Sequence, residues 1–111
     1  MLKNCYGKLL VYASSSSVED ERLQSVNEAA GRMAKLLDLD FEIVTLKKQF
    51  ESIYVYYKNG DEDPIPIYCN KGDTANIHEI CKALRSMMFL LSFHPRHTAL
   101  RQARKEIIQF S

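Results

Sequence analysis

Long apolar segments are missing from this sequence. The apolar run from Met87 to Leu91 is far shorter than the roughly 18 residues that a membrane-spanning helix needs. Near the start of the chain, Lys3, Asn4 and Lys8 interrupt the short apolar stretch, so the hydrophobic region of a secretory signal is not recognisable. We therefore expect a cytoplasmic protein that does not enter a membrane.

Cysteine is also scarce, since only Cys5, Cys69 and Cys81 occur and no Cys-x-x-Cys pair is present. An odd number of widely spaced cysteines does not form a disulfide framework and favours a reducing compartment. His78 lies three residues before Cys81, but a zinc site needs four ligands. We find no nucleophile–base pair, metal-ligand set or phosphate-binding loop, so we expect no enzymatic activity, no metal ion and no cofactor.

The charge is nearly balanced overall but unevenly distributed. The net charge is +1, yet residues 1–63 hold eleven acidic and eight basic residues, whereas residues 64–111 hold three acidic and seven basic residues. An anionic partner is therefore expected to bind the second half of the chain.

Hydrophobic periodicity predicts one α+β domain over residues 1–111, with the order β-α-β-β-β-α-α. The predicted strands are 8–13, 41–46, 52–58 and 64–69. The first predicted helix follows the serine turn and ends near Asp38. The second follows the turn at 70–74 and ends near Ser92, and the third runs from Pro95 to Gln109.

The connections between these elements predict a four-stranded mixed sheet with the helices packed on it. The first two strands flank a helix, which favours parallel pairing. Short loops join the second, third and fourth strands, so these are expected to be antiparallel neighbours. Pro64 and Pro66 remove backbone donors and therefore place the fourth strand at a sheet edge.

Three features of the predicted helices each carry a specific expectation. Leu23, Val26, Ala30, Met33 and Leu37 form one apolar stripe on the first helix. Gly31 interrupts that helix, which indicates either a close approach to the sheet or a tolerated surface glycine. Asp73 or Thr74 is expected to cap the second helix.

The stretch "YASSSSVEDER" (12–22) is a strand, a serine-rich turn and a helix start, which is where α/β proteins bind phosphate. However, Glu19, Asp20 and Glu21 occupy the positive end of the helix dipole and would repel an anion. Ser16-x-x-Glu19 matches a helix capping box. Ser14 and Ser15 are not needed for that cap, so they are the residues of this turn that could bind a ligand.

The segments "VYASSS" and "FEIV" resemble glutaredoxin-related proteins in which a serine-rich turn replaces the redox Cys-x-x-Cys pair. This resemblance covers about a third of the chain. It implies a non-catalytic, thioredoxin-like protein that binds a small ligand at the serine turn, with Pro64 or Pro66 in the place of a cis-proline. The second half departs from that family, because residues 47–51 are too few for its usual second helix.

The C-terminal segment "HPRHTALRQARKEIIQF" is basic. Its candidate binding residues are Arg96, His97, Arg101, Arg104 and Lys105. The last three cations are neighbours on a helix and could bind nucleic-acid phosphates, or they could form a solvated helix face. Tyr54, Tyr56 and Tyr57 could stack on bases if their sheet face is exposed, although strands commonly contain tyrosine for other reasons.

The end of the second helix, "MMFLLSF" (87–93), is apolar nearly all round. Such a segment is either covered on every side or forms an exposed patch that another chain covers. We expect Met87, Phe89 and Phe93 to contribute to a homodimer or to a complex with a partner protein through the second and third helices. The sequence thus favours a small binding or regulatory protein, with an RNA-binding module as the alternative.

Overall fold

The structure of the chain is a computed structural model that describes residues 7–15, 21–48, 51–60, 62–72, 76–94 and 97–110. Its elements are β1 (Gly7–Ser14), α1 (Glu21–Leu36), β2 (Asp40–Leu46), β3 (Ile53–Asn59), β4 (Ile65–Asn70), α2 (Ile77–Leu91), α3 (Thr98–Gln102) and α4 (Arg104–Ile108). The predicted α+β class, element order and four-stranded mixed sheet are confirmed, with the last predicted helix divided into α3 and α4.

The strand order is β2-β1-β3-β4, which makes β1 a central strand. β1 pairs parallel with β2 and antiparallel with β3, and β3 pairs antiparallel with β4. The parallel pairing is confirmed, but the expectation that the second and third strands are neighbours is wrong. The chain crosses the end of β1 before β3 begins, and this arrangement leaves the apolar β1 paired on both sides.

The described helices and one face of the sheet share a single hydrophobic core. β1 contributes Leu9, Val11 and Ala13, all almost inaccessible to solvent, and β3 contributes Ile53, Val55 and Tyr57 in register with them. The remaining core side chains come mainly from the helices: Leu23, Val26, Ala29, Ala30, Met33, Ala34, Ile80, Cys81, Leu84, Met88, Leu100, Ile107 and Phe110. The opposite face of the sheet therefore has a separate set of side chains, described below.

Gly31 lies within α1, and the expected close approach to the sheet is not present. A Cβ atom at Gly31 would lie 3.9 Å from Cε2 of Phe41, which is an ordinary van der Waals distance. Gly31 is therefore a tolerated glycine, and its conformational freedom costs helix stability without a packing gain.

The second helix begins later than the sequence suggests. Asn76 is the N-cap of α2, because its side-chain Oδ1 accepts a hydrogen bond of 2.9 Å from the backbone N–H of Glu79. The predicted caps Asp73 and Thr74 lie outside the described residues and precede this position. Within the described ranges, no helix has the length and apolar character required for crossing a membrane.

The single helix predicted from Pro95 to Gln109 is instead two short helices, α3 and α4. Ala103 separates them with φ −95° and ψ 9°, outside the helical region. Leu100, Ile107 and Phe110 are all buried on the two sides of this break. These side chains thus belong to the core although the helix is broken at Ala103.

β4 is an edge strand, as its prolines predict, but its alternation contains a β-bulge. The register with β3 shifts between Val55 and Tyr56, so Tyr68 pairs with Val55 and Pro66 pairs with Tyr56. The extra residue reverses the alternation, which explains why Ile67 is buried while Cys69 is exposed. Strict alternation would have placed Ile65, Ile67 and Cys69 on one face of the strand, and the bulge separates Cys69 from the other two.

Replacing Gly31 by alanine should stabilise the protein. The backbone is helical and the space for a Cβ is open, so we expect Gly31→Ala to raise the unfolding free energy by about 1 kcal/mol. A rise in melting temperature of about 4 °C, followed by circular dichroism, would correspond to that gain. Gly60→Ala is the control. Gly60 has φ +60°, a backbone conformation in which alanine should destabilise the protein. A lower melting temperature for Gly31→Ala would show that the glycine has a packing role.

Candidate binding surfaces

The serine turn follows the C-terminal end of β1. Ser14 is fully buried, and its hydroxyl donates a hydrogen bond of 2.7 Å to the backbone carbonyl of Lys48. Ser15 is exposed. Since residues 47–52 connect β2 to β3 across the end of β1, the Ser14 hydroxyl fastens this crossing. The predicted capping pair Ser16 and Glu19 lies outside the described residues.

Arg22 joins three segments at the same end of the sheet. Its guanidinium donates from Nη1 to Oδ1 of Asn70 at 3.0 Å and from Nη2 to the backbone carbonyl of Glu51 at 3.1 Å. Asn70 Oδ1 also accepts the backbone N–H of Gly72 at 3.0 Å. These contacts tie α1 to the β2–β3 connection and to the end of β4. Sequence reasoning missed this pair, because 48 positions separate Arg22 from Asn70 and no local motif includes both.

The structure departs from the glutaredoxin resemblance at the prolines. No cis peptide bond occurs among the described residues, which include both Pro64 and Pro66. Neither proline therefore matches the cis-proline that the resemblance implies. The short connection of residues 47–52 contains no helix within its described part, and the sheet face opposite the core is open there.

We call this helix-free side of the sheet the tyrosine face. Tyr12 of β1 lies directly opposite Tyr54 of β3, and Tyr56 is the next residue of β3 on the same side. The Tyr12 and Tyr56 rings meet edge to face with centroids 5.2 Å apart, and the Tyr54 and Tyr56 rings are 6.3 Å apart. The three rings are half-buried and form one aromatic cluster on an exposed surface.

A groove of about 470 Å³ crosses the tyrosine face. Leu46, Lys48 and Pro64 line it together with the three tyrosines. Most of its lining is apolar or aromatic, and Lys48 supplies the one cation among the described lining residues. This composition suits a ligand that presents flat or apolar groups beside an anionic one.

Tyr57 does not belong to the tyrosine face, so its expected role in base stacking is wrong. The alternation of β3 directs Tyr57 into the core, where it is 1% exposed and packs edge to face with His97 at 5.4 Å. Burial, with a smaller contribution from the charge of Glu62, raises the pKa of Tyr57 to about 12. The phenol therefore stays neutral in the core.

The predicted basic cluster of the C-terminal segment is divided by the fold. His97 is 3% exposed and its Nδ1 lies 3.2 Å from Nδ2 of Asn59, so it is part of the interior. Arg104 donates to the hydroxyl and the carbonyl of Ser92, each at 3.1 Å. Arg101 and Lys105 are exposed, and Arg96 lies outside the described residues.

An exposed apolar surface covers the C-terminal end of α2 and the adjacent α4, and we call it the apolar patch. Its members are Phe89, Leu90, Phe93 and Ile108. The rings of Phe89 and Phe93 pack edge to face at 5.0 Å, and Phe89 shares with Ile108 a hollow of about 510 Å³. The Arg104 guanidinium lies 3.9 Å from the centroid of the Phe93 ring. Met87, also predicted as a contact residue, is half-buried and packs against the core.

The described cysteines have no partner residues for metal binding or redox chemistry nearby. Cys81 is buried in α2, and this burial raises the pKa of its thiol despite the nearby Arg32 guanidinium, which lowers it. Cys69 is exposed on β4. In the part of the chain that the structure describes, no group of three or more histidine, cysteine or acidic side chains could hold a metal ion.

Comparisons of the chain with protein-family models, with curated proteins and with solved structures find no match. The surfaces described above are therefore the only indication of function among the described residues.

The two serines of the turn should behave differently when replaced. Ser14→Ala removes a buried hydrogen bond and leaves the Lys48 carbonyl without it, so we expect a loss of about 1 kcal/mol in unfolding free energy. Ser15→Ala, the matched control, should leave stability unchanged because the side chain is exposed. Urea unfolding of both variants measures the difference. Equal stability of the two variants would contradict the role of Ser14 in fastening the β2–β3 connection.

Proposed function

We propose that this chain is a non-enzymatic, cytoplasmic binding protein that holds a partner protein against the apolar patch. The observation that carries the proposal is the exposure of Leu90 at 63%, Phe93 at 56% and Ile108 at 54%. These are the three most exposed large apolar side chains among the described residues. Phe93 and Ile108 both lie beside Phe89, and the backbone N–H of Phe93 donates a hydrogen bond of 3.2 Å to the carbonyl of Leu90. Clustered apolar exposure of this kind marks interaction sites on soluble proteins.

The apolar patch is preorganised for contact. Phe93 is held between the Phe89 ring and the Arg104 guanidinium, and Arg104 is itself anchored to Ser92. A fixed aromatic side chain loses little conformational entropy when a partner covers it. Buried aromatic residues and arginines of this type contribute a large share of the binding energy in protein interfaces.

The surroundings of the apolar patch indicate the chemistry of its partner. Arg85 lines the hollow beside Phe89, and exposed Arg101 and Lys105 lie on α3 and α4. The proposed partner therefore presents an apolar side chain to the hollow and acidic residues around it. Complementary charge at the rim would mainly increase the rate of association and the selectivity for that partner.

A single charge in the apolar patch should abolish the interaction. Leu90→Lys replaces the most exposed apolar side chain, so the fold should be unaffected while the partner would have to bury a lysine. We expect affinity to fall at least about tenfold, or about 1.4 kcal/mol, in calorimetric titration with the recovered partner. The partner is first recovered by pull-down from nuclease-treated native extract.

Ile43→Lys is the matched control, since Ile43 is also exposed but lies on the β2 edge of the sheet. Partners that bind the apolar patch are recovered by the wild type and by Ile43→Lys and are lost with Leu90→Lys. Equal recovery with all three proteins would contradict the proposal. Loss of self-association in Leu90→Lys alone would identify the partner as a second copy of this chain.

A second candidate function, binding of single-stranded nucleic acid, is favoured by the tyrosine face. Tyr12, Tyr54 and Tyr56 offer three neighbouring aromatic rings, and Lys48 lies in the same groove. Aromatic side chains on an open sheet can stack on successive bases, while lysines contact the phosphates. The tyrosine face is a better candidate for nucleic-acid binding than the cations of the C-terminal helices. In that second group His97 is buried and Arg104 is hydrogen-bonded to Ser92.

Substitution of Tyr54 should decide whether the tyrosine face binds nucleic acid. If a single-stranded oligonucleotide binds there, Tyr54→Ala should weaken binding by about 1–3 kcal/mol, measured by fluorescence anisotropy, and binding should weaken as salt increases. The double variant Arg101→Ala with Lys105→Ala is the control for the helical cations. A loss of affinity only in that double variant would assign binding to the C-terminal helices, and undetectable binding by the wild type would exclude this function.

A further inference from the structure

The two edges of the sheet differ in how they are protected against pairing with another strand. β4 has Pro66 within the strand and a β-bulge in its pairing with β3, and both features discourage a further strand. β2 has neither feature. Its seven residues contain no proline, glycine or lysine, and they pair in continuous register with β1. No strand among the described residues pairs with the outer side of β2.

The β2 edge also concentrates exposed apolar side chains. Phe41, Ile43 and Leu46 of β2 are three of the seven large apolar side chains that are exposed in the described part of the chain. Phe41 and Ile43 are level with Leu9 and Val11 and therefore lie on the helix side of the sheet. A long, regular and apolar edge strand is an efficient template for pairing with a further strand.

We propose that β2 forms the interface of a homodimer, in which the β2 strands of two copies pair antiparallel and extend the two sheets into one of eight strands. A two-fold axis perpendicular to the sheet relates the copies. It keeps both helix layers on the same side, where the Ile43 side chains of the two copies meet. This interface is separate from the apolar patch and does not depend on the proposed function.

The charges along the strand select a second copy as the occupant and antiparallel as the direction. Acidic residues, Asp40 and Glu42, lie in the first half of β2, whereas Lys47 and Lys48 follow its end. Antiparallel pairing centred on Val44 brings the acidic start of each β2 towards the lysine segment that follows the end of the other β2, and this occurs twice because of the symmetry. Parallel pairing in register would instead place each acid and each lysine opposite itself, which is unfavourable.

The same register arranges the apolar side chains favourably. Ile43 lies opposite Thr45 and diagonally beside Ile43 of the second copy, within the reach of cross-strand contacts. Glu42, which already forms an ion pair of 3.3 Å with Lys8 of its own chain, lies opposite Leu46 and meets no second acid. Within β2, every directly opposed pair of this register is thus either apolar or mixed.

Sedimentation velocity over a range of protein concentrations tests the interface. We expect wild-type protein and Leu90→Lys to dimerise with similar dissociation constants, and Ile43→Lys to dimerise at least about tenfold more weakly. Circular dichroism confirms that each variant is folded. A monomeric wild type at high concentration would overturn the proposal. So would a dimer that Leu90→Lys disrupts and Ile43→Lys leaves intact.

A charge exchange tests the register independently of the stability of any one variant. Asp40→Lys and Lys48→Asp should each weaken the homodimer, because like charges then approach one another at both ends. A mixture of the two variants restores both opposite-charge pairs, so we expect it to form a heterodimer of roughly wild-type affinity. Failure of the mixture to associate more tightly than either variant alone would overturn the antiparallel β2 pairing.

Discussion

The packing of all the described helices against one face of the sheet is the constraint on which the other features of this protein depend. The side chains that β1 and β3 direct to this face are almost completely removed from water by α1 and α2. They are Leu9, Val11 and Ala13 of β1 and Ile53, Val55 and Tyr57 of β3. A sheet covered on one side must present its other side to the surroundings. The tyrosine face is the result of that geometry, since no described element covers Tyr12, Tyr54 and Tyr56.

The ends of the sheet are held by polar contacts that bring distant parts of the chain together. The Ser14 hydroxyl binds the carbonyl of Lys48, and Arg22 links Asn70 with the backbone at Glu51. These contacts stabilise a chain crossing that has no helix of its own to support it. A serine-rich turn that resembles a ligand site in the sequence is therefore, at least at Ser14, part of the framework.

Most of the exposed apolar side chains fall into two separate groups, one at the apolar patch and one along β2. In the proposed arrangement, the apolar patch binds a partner protein while β2 joins two copies of the chain. Linking two partner-binding surfaces through a dimer would increase the effective affinity for a partner that is itself multivalent. The regulatory character proposed from the sequence is compatible with such an arrangement.

Much of this architecture follows from the sequence alone. Apolar spacing determined where the strands and α1 and α2 lie to within a few residues, because a strand or helix must direct its apolar side chains to one core. The Pro-rich fourth strand predicted a sheet edge, and the apolar run "MMFLLSF" contains Phe93, which is exposed, and Phe89, which is half-buried against the core. The tertiary structure alone decided which strands are neighbours, which tyrosines are exposed and which cations are engaged. Tyr57 and Tyr56 are adjacent in the sequence, and His97 and Arg101 belong to one basic segment, yet packing buries one member of each pair. These outcomes depend on contacts between residues far apart in the chain, such as Tyr57 with His97 and Arg22 with Asn70, and no local pattern contains that information.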